Sequence, residues 1–133
     1  RKDIEVPEGH YQAENMKATV VPNRNSIMLN IALGYAISIE AGEVAYAAHA
    51  GDHTIYPDCR PVFLEKIQSL AEVVDWKPVK IYAPFMNITK KDIVRIGKPL
   101  GIDYENDTYS CYKGTIPACG KCGTCTERKE ALE

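Results

Sequence analysis

Four cysteines toward the C-terminal end, Cys111, Cys119, Cys122 and Cys125, stand in C-x7-C-x2-C-x2-C spacing. Two overlapping C-x2-C turns hold three thiolates close together, and Gly120 and Gly123 free the backbone to turn its amides toward the sulfurs. A fourth sulfur from upstream completes a tetrahedron, the arrangement of structural zinc. A closed four-thiolate site leaves no position for water, so Zn2+ here builds shape rather than performing chemistry. An iron–sulfur cluster also uses C-x2-C-x2-C, but the ferredoxin run continues to a further cysteine and proline. Thr126-Glu127-Arg128 follows here instead. A disulfide framework needs an oxidising compartment, and Arg1-Lys2-Asp3-Ile4-Glu5 carries no charged-then-apolar signal pattern. A thioredoxin-like pair is disfavoured because three close cysteines compete for one bond.

Two polar stretches could carry the remaining chemistry. In Val21-Pro22-Asn23-Arg24-Asn25, Arg24 stands one residue before Asn25, the expected cap of a helix. A cation is disfavoured at the positive end of a helix dipole. An anion held between the guanidinium and the free amides reverses that penalty. The plain alternative is that Arg24 turns outward to water. The second stretch runs from His49 through Asp52 to Tyr56-Pro57-Asp58-Cys59-Arg60. Asp58 is expected to cap the helix that Pro61 helps to start. Cys59 would then lie in a first helical turn, where the dipole lowers a thiol pKa; the alternative is an inert buried cysteine. Arg60 adds a charge for a phosphate or carboxylate, and Asp52 and Tyr56 suit a polar heterocycle or simple loop packing. His49 and His53 flank Asp52 without a third metal ligand nearby.

The elements that must position these residues follow from the periodicity. Residues 18–21 form a β-branched run that reads as a strand or extended segment ended by Pro22. Residues 26–40 read as a helix apolar almost all round, which belongs in an interior or between layers. Residues 44–48 have the continuous small and apolar character of a buried parallel strand. Residues 59–74 form an amphipathic helix with Phe63, Ile67, Leu70 and Val74 on one face. Residues 79–83 form another strand, and 89–100 a helix opened by a Thr89-x-x-Asp92 capping box. This alternation implies crossover connections: an α/β fold with a parallel sheet and packed helices over residues 1–104, then a zinc-binding lobe over 105–133. Ligands of such sheets sit beyond the carboxyl ends of the strands, which is where both polar stretches fall. With 133 residues, 45% of them apolar, the chain can bury a core. No apolar run reaches membrane-spanning length, so no membrane partner is expected. A formal charge of −2 argues against direct nucleic-acid binding, and Lys113, Lys121, Arg128 and Lys129 read as charges offsetting the anionic metal site.

These three motifs, in this order, resemble the 7-cyano-7-deazaguanine synthases, the QueC-type ligases of queuosine-precursor biosynthesis, from about residue 19 to Arg128. The resemblance implies an adenine-nucleotide α-hydrolase-like fold of the pyrophosphatase-loop class. It implies a cytoplasmic ligase that activates 7-carboxy-7-deazaguanine with ATP, with Mg2+ accompanying the nucleotide and ammonia displacing AMP. A second activation of the amide gives the nitrile, preQ0. Arg24 and Arg60 would then supply catalytic charge, and Asn23, Asn25, Asp52, Tyr56, Asp58 and Cys59 would line the deazapurine site. The four cysteines correspond to the family's structural zinc ligands, and a homodimer is compatible with the family. The family's Ser-Gly-Gly-x-Asp-Ser phosphate loop has no counterpart here. The N-terminal part of the fold is therefore expected to be missing, and these residues alone are not expected to turn over ATP. Other amidating or tRNA-thiolating pyrophosphatase-loop enzymes share the fold and the anhydride chemistry. A non-enzymatic zinc-stapled module is the simplest alternative.

Overall fold

The computed structural model describes residues 5–133; Arg1-Lys2-Asp3-Ile4, where the absence of a signal pattern is read, lie outside them. The chain divides into two compact units. One comprises residues 21–87, and the other joins residues 5–20 to residues 88–133. The division expected between residues 104 and 105 thus differs from the one seen, because the N-terminal stretch and the helix after residue 89 belong with the cysteines.

In the first unit, α1 (Arg24–Ser38) leads into β1 (Glu43–Ala45), α2 (Pro61–Ala71) and β2 (Lys80–Tyr82). The strands pair in parallel, with Glu43 opposite Lys80, Val44 opposite Ile81 and Ala45 opposite Tyr82. Lys80 N–H donates to Gly42 O (2.9 Å) and Tyr46 N–H to Tyr82 O (2.9 Å), extending the ladder at both ends. The Ile81 N–H, which β1 does not take, donates to the side-chain oxygen of Gln68 on α2 at 2.6 Å. Leu29, Leu33 and Ala36 of α1 meet Ile67 and Ala71 of α2 and Val44, Val79 and Ile81 of the strand segments, forming the core. This spacing puts one stripe of α1 inward. Ile27, Met28, Ile31, Tyr35 and Ile39 are exposed, so the helix expected in an interior or between layers buries one face among the described residues. The strands are likewise buried on one face only, with Val44 and Ile81 inward.

In the second unit, residues 18–19 of the run expected at 18–21 as a strand or extended segment end a 3-10 turn, Glu14–Thr19, and Val20 is extended (φ −67°, ψ 121°) but not part of a strand. Met16 is fully buried, and Thr19 Oγ1 donates to Met16 O at 2.7 Å, closing the turn. This local bond and buried anchor override the β-branched preference, which is weak without a partner strand. The expected capping box is present at α3 (Lys90–Gly97): Thr89 and Asp92 exchange side-chain and backbone bonds. A 3-10 turn, Lys98–Leu100, completes the predicted 89–100 span. Tyr104 Oη donates toward Ile93 O and Val94 O (3.2 and 3.3 Å). A side chain at Gly97 would strike that hydroxyl at 1.9 Å, so only glycine admits the ring there. The last helix, α4 (Gly123–Leu132), packs on α3, and Lys90 pairs with Glu127 across them. Among the described residues no helix is long and apolar enough to cross a membrane.

Candidate functional sites

The four cysteine sulfurs lie within 4.8 Å of one another, and Cys119 Sγ and Cys125 Sγ are 3.9 Å apart. A tetrahedron with zinc–sulfur bonds of about 2.3 Å has edges of about 3.8 Å, so the cluster fits a four-coordinate thiophilic metal. All five cysteines are free thiols. The backbone assists: Cys119 N–H donates to Cys111 Sγ and Cys122 N–H to Cys119 Sγ, both at 3.4 Å. The Cys119 amide leads the groups that hold the Cys111 thiol down at about 5. Burial pushes Cys122 up, but the Thr124 hydroxyl and nearby amides outweigh it and bring that thiol to about 7. Burial and then the neighbouring Cys122 push Cys125 up to about 12. A bound dication removes this last restraint by stabilising thiolates together.

The two expected glycines act differently. Gly120 adopts φ +70°, a left-handed turn where glycine is needed. Gly123 instead permits close packing, since a Cβ there would lie 2.8 Å from Met16 Sδ and 3.1 Å from the Tyr11 backbone. Glu8 forms an antiparallel bridge with Cys122, and Gly9 N–H donates to Lys121 O at 3.1 Å. Residues 5–20 therefore form part of the metal centre's wall, which no sequence pattern announced. Of the four basic residues expected to offset the cluster, Lys113 pairs with Glu8 at 2.7 Å and also feels the charge of Cys119 and Cys122. Arg128 does something else: its guanidinium clamps Thr108 Oγ1 and Tyr104 O.

The eight other candidate residues all belong to the unit of residues 21–87. Asn23, not Asn25, occupies the N-cap of α1, in left-handed geometry (φ 61°) and without a side-chain cap. Asn25 lies in the first turn and binds the second polar stretch. Its N–H donates to Asp58 Oδ2 (3.0 Å), and its Nδ2 donates to Asp58 O and Cys59 Sγ (both 3.1 Å). Asp58 thus caps α1 across the fold and does not cap α2, whose N-cap Arg60 has no side-chain bond. Pro57–Cys59 forms its own 3-10 turn before α2. Cys59 is buried, and its thiol is pushed up to about 12 by burial and by the charges of Asp52 and Asp58. Asn25 and Arg24 oppose this and lose. The lowered thiol pKa expected from a helix dipole is therefore overturned: two carboxylates and desolvation dominate.

Asp52 accepts from His49 N–H (3.1 Å) and faces His49 Nε2 at 3.5 Å, while Gly51 N–H donates to His49 Nδ1 at 3.1 Å. His49 and Asp52 are both buried. Arg60 is exposed, and its Nε donates to His53 O (2.8 Å), bracing the loop. Tyr56 is buried, and its N–H donates to Asp52 O (2.9 Å). The hydrogen bonds join Asn25, Asp58 and Cys59 directly. Arg24 and Asp52 lie within electrostatic reach of Cys59. Asn23, Tyr56 and Arg60 flank these groups in sequence. Tyr46, just beyond β1, also feels Cys59, Asp58 and Asp52. Sequence reading put it in the middle of the strand expected at 44–48; because β1 ends at Ala45, the structure moves it to the strand's carboxyl end.

Among known proteins, the family model described as queuosine biosynthesis protein QueC matches residues 1–133. The 7-cyano-7-deazaguanine synthase of Marinobacter nauticus is 57% identical over 130 residues, covering 98% of this chain and 58% of that protein. Its namesake in Methanoregula boonei is 55% identical over 132 residues, 99% of this chain and 60% of that protein. That of Hahella chejuensis is 54% identical over 131 residues, 98% and 56% respectively. The chain thus spans somewhat over half the length of these relatives. A family match over residues 1–133, with more than half of the aligned residues identical in each of these relatives, makes this chain a member of the QueC family.

Proposed function

We propose that the complete protein carrying these residues is an ATP-dependent ligase that converts 7-carboxy-7-deazaguanine and ammonia into 7-cyano-7-deazaguanine. The observation that carries this reading is identity above one half, over nearly the whole chain, to relatives bearing that name. ATP transfers its adenylyl group to a carboxylate oxygen and pyrophosphate departs; ammonia then displaces AMP, losing a proton, to give the amide. A second ATP adenylates the amide oxygen with release of a second pyrophosphate, and departure of AMP with loss of the two amide protons leaves the nitrile. The parallel strand pair and its crossover helix agree with an adenine-nucleotide α-hydrolase-like fold of which this chain forms part.

In this reading the chain's residues bind and orient rather than exchange protons. Asp52 and Asp58 accept the donor edge of the deazapurine. Arg24, at the first position of α1, and Arg60 supply positive charge where carboxylate and phosphate oxygens gather. Asn23, Asn25 and Tyr56 shape the same site. Cys59, held neutral, serves as a packing and hydrogen-bond group and not as a nucleophile. Cys111, Cys119, Cys122 and Cys125 hold a structural Zn2+, and Mg2+ accompanies ATP at a site supplied outside these residues. The reading takes the cytoplasm as the location and is compatible with a homodimer. The test incubates the full-length protein with the acid, ATP, Mg2+ and ammonium and follows nitrile by mass spectrometry. Nitrile formation supports the reading; amidation that stops short, or thiolation of another substrate, contradicts it.

A further inference from the structure

Tyr46 follows β1 directly, and its N–H donates to Tyr82 O at 2.9 Å, so its backbone is fixed by the sheet. Its side chain packs against the core of this unit. Among the described residues its hydroxyl is buried yet takes no hydrogen-bond partner, a costly state for a phenol. The groups that act on it are Cys59, Asp58 and Asp52, all of which accept hydrogen bonds. The side-chain amide of Asn25, which binds the same stretch, donates to Asp58 O and Cys59 Sγ. Burial first, and then the neighbouring Cys59, Asp58 and Asp52, push the Tyr46 hydroxyl up to about 12, so it remains a donor at neutral pH.

The arrangement therefore offers two carboxylate acceptors and one oriented donor. A guanine-like edge presents the complement: ring and exocyclic N–H donors beside a carbonyl oxygen. Resting on the proposed function above, we propose that Tyr46 is a further substrate-positioning residue, its hydroxyl donating to the ring carbonyl of the deazapurine while Asp52 and Asp58 receive the N–H donors. Tyr46 joins the donor set as the one member that reads an acceptor. A heterocycle with an amino group in place of that carbonyl meets donor against donor and is rejected.

The test uses Tyr46→Phe in the full-length protein, which keeps the ring and removes only the hydroxyl. The expected result is a KM for 7-carboxy-7-deazaguanine raised about fivefold, the factor corresponding to one net hydrogen bond. The KM for ATP stays unchanged, and the melting temperature is unchanged or higher, because an unpaired buried hydroxyl is gone. A KM for the acid equal to wild type overturns the assignment. So does a fall in melting temperature with both KM values rising together, the signature of a merely structural hydroxyl. A wild-type protein that leaves the acid unconverted while the variant folds normally instead removes the proposed function, and this assignment with it.

Discussion

Replacing Cys122 with Ser should open two distant stretches of the chain at once. Cys122 is fully buried, caps α4, donates its amide to Cys119 Sγ and bridges to Glu8. A structural zinc site contributes about 10–16 kcal/mol of apparent binding free energy. The whole stability of a typical domain is about 5–15 kcal/mol, so even a partial loss of metal affinity removes most of what holds this unit. α4 has 10 residues, below the about 12–15 at which isolated helices become marginal in water. It should therefore melt when its N-terminal anchor goes. Met16 packs on Gly123, so the 3-10 turn at Glu14–Thr19 should loosen with it. The assay is limited trypsin digestion of zinc-loaded wild type and variant, read by mass spectrometry. Cleavage after Lys17 should accelerate together with cleavage after Lys113 and Lys121, while Lys66 on α2 serves as the internal control. Protection at Lys17 with rapid cutting at Lys121 would refute the reasoning that residues 5–20 fold as part of the metal centre. Unchanged cutting at all of them would show that the quartet does not organise the unit.

Two further outcomes follow from the polar stretches. Asp58→Ala removes the acceptor for the Asn25 amide at the start of α1 and should cost about 0.5–2 kcal/mol in urea unfolding, the range for a lost cap; an unchanged midpoint contradicts the cross-fold cap. The folded state retains the Cys59 proton up to about 12, whereas an unfolded thiol releases it near 9.0. The folded state thus binds more protons in that window, and stability should fall as pH rises from 9.0 toward about 12. Cys59→Ala should flatten this fall, and rapid alkylation of native Cys59 at neutral pH would contradict a buried neutral thiol.

What the sequence disclosed was mostly local. The Thr89–Asp92 box spans one helical turn, and both partners are visible in four consecutive residues. The cysteine quartet was legible because its chemistry restricts spacing, and the sulfurs gather as expected. Long-range choices were hidden. Asp58 is a good cap by residue type, but its helix proved to be α1, thirty-three positions upstream at Asn25. The β-branched run at 18–21 lost to a buried methionine and a threonine back-bond. Cys59 shows the same limit in electrostatics, since the carboxylates that decide its pKa come from a fold that periodicity does not specify. Tyr46 read as the middle of the strand expected at 44–48, and both its place after β1 and its unpaired hydroxyl are visible only in three dimensions.

The central claim, that this family member makes a nitrile through adenylated intermediates, is tested most directly by oxygen tracing. Substrate labelled with 18O in both carboxylate oxygens is turned over by the full-length protein with unlabelled ATP and ammonium. Each adenylation joins a substrate oxygen to the α-phosphorus, and each departure of AMP carries that oxygen away. The account predicts two AMP per nitrile, each bearing one 18O, with none in pyrophosphate or water. Label appearing in inorganic phosphate, or nitrile formed with unlabelled AMP, would contradict it.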